Sequence, residues 1–99
     1  MIEPPDKLDE AKVIRWAWSG NKPFGVIPNL DSNESIEVFG LAICQYENSS
    51  EVYRFCCDKE WEVQQDSVYE SVDEALSKLP AQFKLMVAKW ETKQDASGT

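Results

Sequence analysis

The stretch from Ser35 to Val63, SIEVFGLAICQYENSSEVYRFCCDKEWEV, constrains the fold more than any other part of the chain. Over Ile36 to Tyr46 the residues alternate, with Phe39, Leu41 and Ile43 on one face and Gly40, Ala42, Cys44 and Tyr46 on the other, which is the period of a β-strand. The polar run Glu47-Asn48-Ser49-Ser50 interrupts it. Glu51 to Cys57 then resumes a β-branched and aromatic pattern, and Asp58-Lys59-Glu60 supplies a second turn before Trp61, Glu62 and Val63. Two hairpins in succession make a three-stranded antiparallel meander.

Loop lengths set the register. A four-residue loop at ENSS places Tyr46 opposite Glu51, Ala42 opposite Phe55 and Gly40 opposite Cys57, so small residues meet large ones. A three-residue loop at Asp58 to Glu60 places Cys57 opposite Trp61 and Phe55 opposite Val63, with Arg54 beside Glu62 and Gln64 on the other face. One face is then apolar across all three strands. The other turns polar by the third strand, as in a sheet running toward an exposed edge, and that edge at Trp61 to Gln65 could pair with itself.

Around this core the chain reads in order. Residues 1–10, with Pro4-Pro5 and four acids, predict a flexible lead-in with a brief turn near Lys7 to Ala11. Lys12 to Ser19 predicts a strand with Ile14, Trp16 and Trp18 on one face and Val13, Arg15 and Ala17 on the other. Gly20 to Glu34 is irregular. Pro23 and Pro28 bracket Phe24 to Ile27 and limit it to a short edge strand. A segment of this kind is either a contact surface or a crossover between strands that are not neighbours.

Ser71 to Leu79 is the clearest helix. Ser71 and Glu74 make a capping box, Val72, Ala75, Leu76 and Leu79 form one apolar stripe, and Pro80 ends it. Residues 84–91 fit a returning strand, with a second helix as the alternative; residues 92–99 are polar and predict a disordered tail. The expected architecture is one α+β domain over residues 11–91, a mainly antiparallel sheet of about five strands with one principal helix packed on one face.

Composition excludes more chemistry than it suggests. There is no histidine, and the three cysteines fall inside predicted strands with no C-x-x-C pair, so neither a disulfide framework nor a metal site is expected, and no cofactor. Cys56, two residues from Arg54, is the best-placed thiol for a nucleophile, and Asp58, Glu60, Glu62 and Asp66 are the carboxylates nearest one another. Nucleotide-cradle and serine-elbow motifs are missing. A net charge of -8 with scattered Lys and Arg excludes nucleic acid and an anionic membrane as direct partners, and suits a basic protein partner. Without a signal segment or an apolar run of membrane length, a cytoplasmic monomer or weak homodimer is expected.

The aromatic load is what folding alone explains least: Trp16, Trp18, Trp61 and Trp90 in 99 residues. Trp61 and Trp90 suit the core. Trp16, Trp18 and Phe24 beside Asp31 and Glu34 have the composition of a protein-binding patch; otherwise the two tryptophans cap the helix-covered face. The reading is therefore a non-catalytic, acidic protein-interaction domain of the kind that inhibits or neutralises another protein. A small-molecule binder with an aromatic pocket and a small cysteine- or carboxylate-dependent enzyme are the alternatives.

Overall fold

The computed structural model describes residues 3–29, 31–78 and 90–93. Its strands are β1 (Lys7–Leu8), β2 (Ala11–Trp18), β3 (Gly25–Pro28), β4 (Ser35–Val38), β5 (Gly40–Gln45), β6 (Val52–Cys57), β7 (Val63–Tyr69) and β8 (Glu91–Thr92), with one helix, α1 (Val72–Ser77), among the described residues. The main sheet is antiparallel in the order β1-β2-β5-β6-β7, and β8 shares the outer edge of β2 with β1. It curls into a half-barrel, and α1 packs on β5 to β7. The expected α+β architecture is the one observed.

The first hairpin has the register that the loop length dictates, with Gly40 opposite Cys57, Ala42 opposite Phe55 and Cys44 opposite Tyr53. The second does not. Cys57 faces Val63, a shift follows, and Phe55 faces Asp66 while Arg54 faces Ser67. The loop takes Asp58 to Glu62 because Trp61 adopts a left-handed φ of 64° and folds back, leaving the strand that was expected to contain it. The exposed edge is consequently Val63–Tyr69, not Trp61 to Gln65.

The strand expected over Ile36 to Tyr46 is also divided. Its first part, β4, pairs with β3 in a separate two-stranded sheet, and the chain crosses at Phe39 into β5 of the main sheet. The irregular segment after Trp18 is thus neither a crossover nor a plain loop: β2 and β5 are neighbours, and β3–β4 is a hairpin carried between them.

Along β2 a bulge between Val13 and Arg15 resets the alternation. Val13 and Trp16 therefore share one side, whereas Ile14 joins the other, against the expected grouping of Ile14, Trp16 and Trp18. Residues 7 and 8 of the lead-in form β1, with Leu8 buried, and Lys93 pairs with Glu3 and Asp6 at 3.0 Å each.

Both sides of the sheet are covered. One side holds Leu8, Ala11, Val13, Trp16, Ala42, Cys44, Phe55, Cys57 and Trp61. On the other side the β3–β4 hairpin covers Ala17, Leu41 and Cys56 with Phe24, Ile27 and Val38, and α1 covers Ile43 and Val52 with Ala75, Val72 and Leu76. Trp16 and Trp18 lie on the side away from the helix, so they do not cap the helix-covered face. Half-buried Trp90 packs where hairpin and helix clusters meet.

The helix begins as its sequence specifies: the Glu74 N–H donates to Ser71 Oγ at 3.1 Å. Its end meets Arg54, expected on a polar face but only 2 % exposed. The guanidinium Nη1 donates to the Lys78 carbonyl at 2.6 Å and Cζ lies 5.2 Å from the Tyr69 ring centroid, so helix docking buries a cation that the isolated meander would leave in water. The segment 84–89, where a strand or helix was expected, lies outside the described residues.

Candidate functional site

The loop between β6 and β7 is built by one carboxylate and one glycine. Asp58 Oδ1 accepts the N–H groups of Glu60 (2.9 Å) and Glu62 (3.0 Å), and Oδ2 accepts from Gln64 Nε2 (3.2 Å). This fixes the loop backbone and points Lys59 and Glu60 outward. Trp61 turns inward onto Gly40, where a Cβ would stand 2.6 Å from ring carbon Cζ3. Trp61 meets Trp16 edge-on at a centroid separation of 6.3 Å and lies 5.6 Å from Trp18, which in turn lies 6.0 Å from Phe39.

Phe39 is the junction. Its N–H donates to the Cys57 carbonyl (3.0 Å) and its carbonyl accepts the Ser19 N–H (2.9 Å), so its backbone is held on both sides where the chain passes from one sheet to the other. On one side a hollow of about 310 Å³ is lined by Trp18, Gly20, Asn21, Phe39 and Lys59. On the other a hollow of about 290 Å³ is lined by Ile36, Glu37, Phe39, Asp58, Lys59 and Glu60. A third, about 360 Å³, shares Ile36 and continues past Ile27 and Asp31 to Gln64 and Gln65 of β7. The three share lining residues along the seam between the β3–β4 hairpin and the β6–β7 loop and together form a trough, aromatic at one end, bordered by Glu37, Asp58 and Glu60 in the middle, and by Asp31, Gln64 and Gln65 at the far end.

Of the residues singled out in the sequence, Trp18 is half-buried at the aromatic end and Asp31 lines the far end. Glu34 is exposed in the β3–β4 turn, where its carbonyl accepts the Asn29 N–H at 3.1 Å. Trp16 is buried in the cluster with Trp61 and Phe24 beneath the hairpin on the opposite side of the sheet, so these two are not brought together. Sequence reasoning missed Phe39, Lys59, Glu37 and Glu60 as neighbours. The alternation that placed Phe39 inside a continuous strand hid its role as the crossing point between sheets.

The cysteines offer no accessible nucleophile. All three are free and buried. Burial pushes the Cys44 thiol up to about 12, and pushes Cys57 up as well; Cys56 is also raised, because burial outweighs the opposing pull of the Arg54 charge. A neutral-pH thiol reagent should therefore modify none of the three in the native protein and all three in denaturant. Each thiol holds its proton more tightly folded than unfolded, so this contribution to stability is complete below the ordinary value of 9.0 and is lost as pH rises from there toward about 12. The thermal midpoint should fall across that window, less steeply in Cys44→Ala. Rapid native-state labelling would contradict this assignment.

Among the described residues no three His, Cys, Asp or Glu side chains are placed to hold a metal ion, and no helix is long and apolar enough to cross a membrane. No known protein family, curated protein or solved structure matches the chain.

Proposed function

We propose that this protein is a non-catalytic binding module that recognises a basic, extended segment of another protein along the trough. The observation that carries this reading is the junction at Phe39, where an aromatic hollow containing Trp18 runs into one bordered by Glu37, Asp58 and Glu60. Aromatic side chains supply rigid contact area, and neighbouring carboxylates select a cationic chain. Asp58 is engaged in holding the loop, so Glu37 and Glu60 are the carboxylates free to face a partner's charges. The net charge of -8 adds long-range attraction for a basic partner.

The test is retention of a basic protein from lysate by the tagged domain at low salt, with release as salt rises. The double reversal Glu37→Lys with Glu60→Lys should abolish retention while changing folding stability by no more than about 1 kcal/mol in urea denaturation, since exposed substitutions of this kind change stability by roughly 0.5 kcal/mol or less each. Trp18→Ala should weaken retention in the same assay. Undiminished retention by the double reversal would reject the trough.

A second reading, a small-molecule binder, draws on a hollow of about 410 Å³ at the opposite end of the sheet. It is lined by Lys7, Lys12, Glu10 and Glu47 with Ile14 and Tyr46, a wall that combines both signs of charge with apolar surface. Ligand-dependent thermal shifts that disappear in Ile14→Asn would favour it.

A further inference from the structure

We infer that the face of Phe39 is the cation seat of the trough and that the protein's own Lys59 occupies it until a lysine or arginine side chain of the partner takes its place. This rests on the binding reading above and specifies what the trough selects. Lys59 Nζ lies 4.9 Å from the Phe39 ring centroid, within the range at which an ammonium is attracted to an aromatic face. The same two residues line both hollows that meet there, so the ammonium sits at the centre of the trough rather than at its margin.

The seat is rigid and its occupant is not. Phe39 is held by backbone hydrogen bonds on both sides and by Trp18 at 6.0 Å, and it is 4 % exposed. Lys59 is exposed, on a loop whose hydrogen bonds to Asp58 are made by the N–H groups of Glu60 and Glu62, not by Lys59. A long, exposed lysine loses rotamer freedom to stay on the ring. An incoming basic segment makes the same contact and adds others with Glu37 and Glu60, which Lys59, alone, cannot match. Lys59 thus acts as an internal competitor that excludes weakly basic or neutral segments.

The experiment uses a tetralysine peptide as probe, titrated into the full chain and followed by NMR and calorimetry. In the free protein the Lys59 CεH₂ resonance should be shifted upfield by the Phe39 ring current, and it should move to its random-coil position as peptide is added. Lys59→Ala should bind the peptide about twofold to fivefold more tightly than wild type, the size of one exposed cation–aromatic contact. Lys59→Met removes the charge but keeps a flexible chain over the ring, and should gain less. In a Phe39→Leu background the gain from Lys59→Ala should vanish; if that variant is too unstable to assay, the comparison of Ala with Met decides alone.

Equal tightening by Ala and Met would overturn the seat and leave only a general charge effect. Peptide binding by wild type with no change in Lys59→Ala, or with an unmoved Lys59 resonance, would overturn it while sparing the binding reading. Absence of peptide binding in wild type and all variants would overturn both.

Discussion

Trp61→Ala will remove about 3–5 kcal/mol of folding stability, the range for truncating a large buried aromatic side chain. Trp61 is 6 % exposed and contributes its ring to the cluster of Trp16, Ala42, Phe55 and Cys57 on the side of the sheet away from the helix. No strand holds it there, since its own backbone lies in the loop at a φ of 64°. The fit of the ring against Gly40, Trp16 and Trp18 keeps the loop folded inward, together with the hydrogen bonds that Asp58 Oδ1 accepts from Glu60 and Glu62. For a domain whose total stability is on the order of 5–15 kcal/mol, the loss is a large fraction.

Urea denaturation gives the measurement, with a lowered midpoint and an unchanged slope as the result expected. Two companions separate the causes. Trp61→Phe should retain most of the stability, because the indole Nε1 has no hydrogen-bond partner among the described residues and its removal breaks nothing. Trp61→Gly should be no worse than Trp61→Ala, because glycine is at ease in the left-handed region where alanine is strained. A loss below about 1 kcal/mol for alanine would mean that the ring does not organise this cluster.

Gly40→Ala will cost about 1–3 kcal/mol, the usual price of forcing a methyl group into a packed core. The added Cβ would stand 2.6 Å from Cζ3 and 2.8 Å from two further carbons of the Trp61 ring. The ring cannot swing freely, since Trp16 and Trp18 pack on it at 6.3 and 5.6 Å. Gly40 is also buried in β5 between Trp18 and Cys57, so its own backbone has little room to give. The decisive comparison is the double-mutant cycle: with Trp61 already truncated to alanine, the extra cost of Gly40→Ala should disappear. Additive losses would place the clash elsewhere.

The contact has a functional side as well. The position of Trp61 sets the path of the loop from Asp58 to Glu62, and with it the outward placement of Lys59 and Glu60 beside Phe39. Variants that free the ring should therefore weaken trough binding even though neither Gly40 nor Trp61 lines it. Phe39, Trp18 and the loop share one packed cluster, so stability and the proposed recognition are coupled there.

Much of the architecture was legible because it depends on local patterns. The period of two in Leu41, Ile43 and their neighbours identifies β5, and the four polar residues Glu47 to Ser50 set its register with β6 without reference to anything distant. Ser71 with Glu74 marks the helix start, since a hydroxyl and an orphan N–H three residues apart need no tertiary partner. The site was less legible. Trp18 and Asp31 do reach the trough, but the sequence carries no sign that Phe39 and Lys59 lie between them.

What the sequence by itself determined is the α+β class, the antiparallel pairing of β5 with β6 and the capped helix, all properties of spacing within a few residues. The tertiary structure alone decided where alternation breaks: the bulge at Ile14, the crossing between sheets at Phe39, the inward turn of Trp61 onto Gly40, and the burial of Arg54 under the helix end. Each of these exchanges a local preference for contacts between residues far apart in the chain. Burying an indole or satisfying a helix carbonyl outweighs about 1 kcal/mol of backbone or pairing preference, and that balance is struck only when the distant partners meet.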